Sequence, residues 1–137
     1  MDIYTLKAKI MQLAGDRIAA EKLTNEARVL DQADRHLNAI NSKYLLKIDE
    51  IKKSHETMAP FSREDENGKL NVHEMQTMWF EIECGKAHYR QKDYRMALKM
   101  FGFINVHLET MLDDCYDFHH YSYRKVTINH YLQMIDW

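Results

Sequence analysis

A chain folds back on itself where residues turn cheaply, and this one is poor in them: 137 residues carry four glycines and one proline. Strand-rich folds need tight turns every few residues, so the scarcity predicts a chain that is nearly all helix. The length corresponds to about one domain and suffices to bury a core without disulfides or a structural metal. Lys and Arg number 19 against 21 Asp and Glu, a formal net charge of −2. That balance excludes a DNA binder working through an overall positive field. No apolar run approaches the ~18–20 residues needed to span a bilayer, so no membrane partner is expected. Met1 to Lys9 is polar and charged at intervals, unlike a secretory leader. Two cysteines without close spacing make no disulfide framework, and the expected setting is reducing and cytoplasmic.

A repeat organises the helices. Ala8 to Gln32 reads as two helices broken at Gly15-Asp16, where Gly15 takes a left-handed backbone cheaply and Asp16 caps the second helix. Ala20 and Ala27 share a face with Leu23 and Leu30. The spacing resembles a tetratricopeptide repeat, a helical hairpin of about 34 residues. Tyr4, Ala8, Gly15, Asp16, Ala20 and Ala27 fit it, whereas Thr24 and Gln32 stand where an aromatic and a proline are usual. Gly85 to Ile104 repeats the pattern, with Gly85 small, Lys92-Asp93 at the turn, Ala97 small and Phe101 aromatic. Ala20 and Ala97 lie two such periods apart with roughly nine residues over. That surplus is the polar stretch Ser62 to Val72, which comes after Pro60. A weaker hairpin turns near Asp49, with Ser54 as its small residue.

The expected architecture is therefore all-α, a single domain over 1–137. It is a tetratricopeptide-like solenoid with repeats at approximately 1–32, 33–61 and 73–112, a loop at 62–72 and an unpaired helix at 115–135. The packing residues are Ala8, Ala20, Ala27, Gly85, Ala97 and Phe101. Repeat arrays end in polar-faced caps, and neither end here carries one, so the expectation is a segment of a longer solenoid.

Several side chains invite a chemical reading. Cys84 and His88, like Cys115 and His119, sit one turn apart on a helix, and four such ligands can close a zinc site. Inward repeat positions account for Cys84 and His88 better, and no metal is expected. His36, His55, His73, His107, His120 and His130 are scattered along the chain and read as solvated or hydrogen-bonded. Glu64, Asp65 and Glu66, and likewise Asp113 and Asp114, read as solvated charge. With no phosphate loop and no nucleophile motif, no catalytic residue is assigned. The aromatic runs Met78 to Phe80 and Phe118 to Tyr123 offer binding platforms, but at helical spacing they read rather as core or as surface between repeats. Lys43, Tyr44 and Lys47, with Arg35 a little earlier, form a basic-aromatic cluster able to hold phosphate through charge-assisted hydrogen bonds. The competing account is a solubilising face with Tyr44 or Leu45 turned into the core. A generic peptide-binding adaptor, gripping its ligand through Asn25 and Asn38, also suits the repeat.

Four stretches carry a more particular resemblance: MDIYTLKAKIMQLAGD, LDQADRHLNAINSKYLLK, HEMQTMWFEIECGKAHYR and YDFHHYSYRKVTINHYL. The sharpest pieces are Met75-Gln76-x-Met78-Trp79-Phe80 and Asp117-Phe118-His119-x-Tyr121-x₂-Arg124-Lys125, which the generic repeat does not demand. They resemble the auxiliary, scaffold subunit of the N-terminal acetyltransferase A complex. The resemblance implies a long helical solenoid that wraps a catalytic acetyltransferase subunit and helps dock it at the ribosome. It implies no catalytic residue and no cofactor in the scaffold itself. It further implies an inositol polyphosphate, such as inositol hexakisphosphate, near Lys43, Tyr44 and Lys47. His88 and Cys115 depart from the family pattern, and Asn67 to Val72 has no clear counterpart.

Overall fold

The computed structural model describes residues 2–64 and 70–114, together with Asn129 and Leu132, both helical and exposed. Three helical hairpins succeed one another. They are α1 (Asp2–Leu13) with α2 (Arg17–Leu30), α3 (Arg35–Lys47) with α4 (Ile51–Met58), and α5 (Met78–Arg90) with α6 (Tyr94–Asp114). The expected terminal helix at 115–135 lies, but for those two residues, outside the described residues.

Each hairpin turns on one residue with a left-handed backbone: Gly15 at φ 91°, Asp49 at φ 65° and Lys92 at φ 63°. Glycine takes that conformation freely; Asp tolerates it better than Lys does. The second helix of the hairpin is then capped by an acid in two of the three. Asp16 accepts from the Ala19 amide at 2.9 Å, and Asp93 from the Met96 amide at 3.2 Å. Between hairpins, Asp34 starts α3 by accepting from the His36 and Leu37 amides. These side chains satisfy amides that the first turn of a helix leaves without partners.

Small residues sit where helices touch. Ala8, Ala20, Ala27 and Ala97 are all buried. Gly85 is pressed against the Phe101 ring so closely that a Cβ there would stand 2.5 Å from ring carbon Cε1. In the second hairpin Ser42 and Ser54 replace alanine, and their buried hydroxyls meet at 2.7 Å. Thr24, which departs from the repeat's usual aromatic, is buried as well. Its hydroxyl donates to the Glu21 carbonyl and accepts from the Asn41 amide at 3.1 Å, so a hydrogen bond holds α2 to α3 there. Leu30 corrects the expected stripe: it is 63% exposed, because α2 ends there and the chain leaves through Asp31.

The stretch expected to be loop carries local order. Arg63–Glu64 and Leu70–Asn71 pair as a two-residue antiparallel ladder, with a 3-10 turn, Val72–Met75, directly after it. Pro60 lies in another 3-10 turn, Ala59–Phe61, just after α4. The second and third hairpins are tied together at their turn. Arg90 donates through Nε to Asp49 Oδ1 at 2.8 Å and through Nη2 to the Leu46 carbonyl at 2.6 Å, while the Gln91 side chain donates to the Asp49 carbonyl. The core between them joins Leu46, Met58, Val72, Phe80, Cys84, Ala87 and Met100.

Candidate interaction surface

Position 44 of α3 faces inward and position 43 outward, which splits the basic-aromatic cluster into two layers. The Tyr44 ring packs in a cluster with Ala8 and Ala20, with Leu23 and Ile40 alongside. Lys47 lies one turn on, its Nζ 5.2 Å from the centroid of the Tyr44 ring, within cation–π range. Lys43 is exposed beside them. Both Tyr44 and Leu45 do turn into the core, and Tyr44 nevertheless keeps a face toward Lys47.

The charge around Lys47 comes from three helices. Partial burial is the largest influence and lowers its pKa; Glu83 opposes this, and Lys43, Arg17 and Lys86 lower it further. Glu83 also pairs with Lys86 at 3.4 Å, and the three cations about Lys47 outnumber this one carboxylate, so an anion bound there relieves repulsion. Arg35 is not among these charges. It opens α3 whereas Lys47 closes it, roughly 18 Å along the axis at 1.5 Å per residue. Arg17 and Lys86, brought in from α2 and α5, take its place. Next to the patch, Asp2, Thr5, Leu6, Lys9, Ile40 and Tyr44 line a recess of about 500 Å³.

A second concavity, about 520 Å³, runs along α2, α3 and α4 and is lined by Asn25, Arg28, Asn41, Glu50 and Lys53 among others. Asn25 faces it, holding the Arg28 guanidinium at 3.0 Å. Asn38 does not serve as a groove residue: it is buried, and its amide donates to the Gln32 and Asp34 carbonyls.

Three of the histidines scattered in sequence, His55, His73 and His107, converge in space, whereas His36 is exposed and His120 and His130 lie outside the described residues. Glu81 is wholly buried on α5, and its Oε1 accepts from His107 Nε2 at 2.7 Å and His73 Nδ1 at 3.1 Å. Burial alone raises a carboxyl's pKa, but the two imidazoles outweigh it and hold Glu81 below its ordinary value. His55 stands beyond them, its Nε2 3.7 Å from Cys84 Sγ and its ring edge-on to Phe80. Burial, reinforced by His73 and His88, lowers His55 to about 4. The Cys84 thiol is pushed up to about 11 by burial and then by Glu81, so it is no nucleophile. His88 Nδ1 is 3.6 Å from Asp93 Oδ2. Among the described residues no three His, Cys, Asp or Glu side chains group as metal ligands; Cys115 and His119 lie outside them. The sequence held one signal of this cluster: Glu81 sits among Met78, Ile82 and Gly85 on the inward stripe of α5, where a charge must find partners.

Known proteins resemble the chain along its whole length. Residues 1–137 match the family described as N-terminal acetyltransferase A, auxiliary subunit. The N-terminal acetyltransferase A complex auxiliary subunit NAA15 of Arabidopsis thaliana is 37% identical over 135 residues, 98% of this chain and 15% of that protein. The human N-alpha-acetyltransferase 16, NatA auxiliary subunit, is also 37% identical over 135 residues, 98% of this chain and 16% of its own length. A chain in the solved structure of Naa15/Naa10 bound to HypK-THB superposes with a TM-score of 0.78 at 34% identity, covering 99% of this chain and 21% of that one. The chain thus spans about a sixth of the curated relatives' length. A continuous match of this extent, on the hairpins described above, places the chain in the family of the auxiliary, non-catalytic subunit of N-terminal acetyltransferase A.

Proposed function

We propose that this chain is a scaffold segment that binds and positions a catalytic N-acetyltransferase subunit, and that the full-length protein helps dock it at the ribosome in the cytoplasm. Membership of the auxiliary-subunit family is the observation that carries the reading. The stacked hairpins support it, because a solenoid offers a wide surface held rigid by nearest-neighbour packing. Ile3, Leu6, Ile10 and Leu13 form an exposed apolar stripe along α1, which suits a further helix of a longer solenoid. A scaffold of this kind supplies no group to the reaction. It raises the fraction of its partner that is competent to bind substrate. Co-purification of the full-length protein from cells is expected to recover an acetyltransferase subunit; recovery of peptide clients or chaperones alone would favour the adaptor reading, to which the Asn25–Arg28 groove lends support.

Lys43, Tyr44 and Lys47 are proposed to hold an inositol polyphosphate as a structural ligand, with Arg17 and Lys86 adding to the field. The residues fit the group: they supply cations and an aromatic floor. Lys43→Glu combined with Lys47→Glu is expected to weaken inositol hexakisphosphate binding by about tenfold or more, with helicity unchanged. Calorimetry on the full-length protein reads this directly, and unaltered affinity refutes the assignment.

A further inference from the structure

Beneath the 3-10 turn Val72–Met75, two imidazoles share one carboxylate and a third lies beside them. Glu81 Oε1 takes the hydrogen bonds of His107 and His73, and Glu81 Oε2 is buried without a hydrogen-bond partner. His55 is the surplus ring. Its centroid lies 6.3 Å from that of His73, and its Nε2 faces a thiol instead of a carboxylate. Glu81 is faced by His73 from the 3-10 turn and His107 from α6, with Cys84 on α5 itself, and His55 of α4 is faced by His73, by Cys84 and by the charge of His88 on α5. From α3 the apolar core beside it receives Leu46 and Ala39. Lys99 of α6 lies over the Phe103 ring, on which His73 stacks at 4.2 Å.

One carboxylate neutralises one imidazolium, so each further proton leaves uncompensated charge inside a packed core. We propose that this cluster is an acid-sensitive joint, in which protonation of His55 frees α4 and the His73-bearing turn from the third hairpin. A recess of about 330 Å³ lies between α4 and the His73-bearing turn, lined by His55, Glu56, Ala59, Asn71, Val72 and His73. Its walls belong to the elements that are freed and include His55 and His73 themselves, so solvent protons reach the cluster from that side.

The direction comes from His55 and Glu81 together. His55 is held at about 4 when packed, against 6.5 when free. Between those values the open joint binds more protons than the closed one, so closure weakens as pH falls from about 6.5 toward 4. Glu81 acts the same way further down. Its carboxyl is held below the ordinary 4.5, so its contribution is full above that value and is lost as pH falls through the packed one.

Amide hydrogen exchange at pH 7 and pH 5, corrected for intrinsic rates, tests the joint on the whole chain. Protection of residues 51–58 and 70–75 is expected to fall about tenfold at pH 5 relative to α2, and to change less than twofold in His55→Gln. Equal protection at both pH values in the wild type, or a full tenfold loss in His55→Gln, overturns the proposal. Should His55→Gln fail to fold, His55→Phe decides: with no imidazole to protonate, protection is expected to change less than twofold between the two pH values, and a full tenfold loss refutes the proposal.

Discussion

Gly85 sets the closest approach in the third hairpin, and there the side chain matters by its absence. A methyl group would collide with three carbons of the Phe101 ring, the nearest at 2.5 Å. Gly85→Ala is therefore expected to destabilise the fold by ~1–3 kcal/mol through overpacking, despite alanine's better helix propensity. A denaturant titration reads the sign. Ala97 is the reciprocal case, a small residue 3% exposed on α6. Ala97→Glu places a carboxylate there without a designed partner, at a cost of ~3 kcal/mol or more, and is expected to melt the third hairpin. A circular-dichroism melt matching wild type would mean that α5 and α6 do not meet at this position.

At the level of elements, the turns reveal how much of the architecture the sequence discloses. Gly15-Asp16 and Lys92-Asp93 are readable because a left-handed residue with a capping acid next to it is a local device, complete within a few positions. Lys92 has a Cβ that this backbone tolerates poorly. Lys92→Gly is expected to raise stability by ~0.5–1 kcal/mol once glycine's entropy cost is set against the relief. A higher midpoint in thermal unfolding checks it. Other features are unreadable for the complementary reason. The ladder of Arg63–Glu64 with Leu70–Asn71 depends on pairing across a gap, which composition does not specify. Arg17 and Lys86 reach the Lys47 patch from other helices, and His55, His73 and His107 reach Glu81 only through packing of hairpin on hairpin. Arg35, nearest in the chain, proves far in space.

Across the whole molecule, buried titratable groups set the range over which the hairpins stay together. On the alkaline side Cys84 counts most clearly, wholly buried with its thiol at about 11 against an ordinary 9. The unfolded chain loses that proton first, so stability declines as pH rises from about 9 through 11, by about 1 kcal/mol at pH 10. Melting curves at pH 8 and pH 10 are expected to differ more in the wild type than in Cys84→Ala. A final consequence concerns Tyr44. The ring under Lys47 is also part of the wedge between the first and second hairpins, beside Ala8 and Ala20. Exterior chemistry and interior cohesion thus hang on a single phenol. Truncating it conflates a lost ligand with a slackened seam, whereas editing its lysine neighbours does not. An anion gripping that spot would, by the same token, brace the joint between the two hairpins from outside.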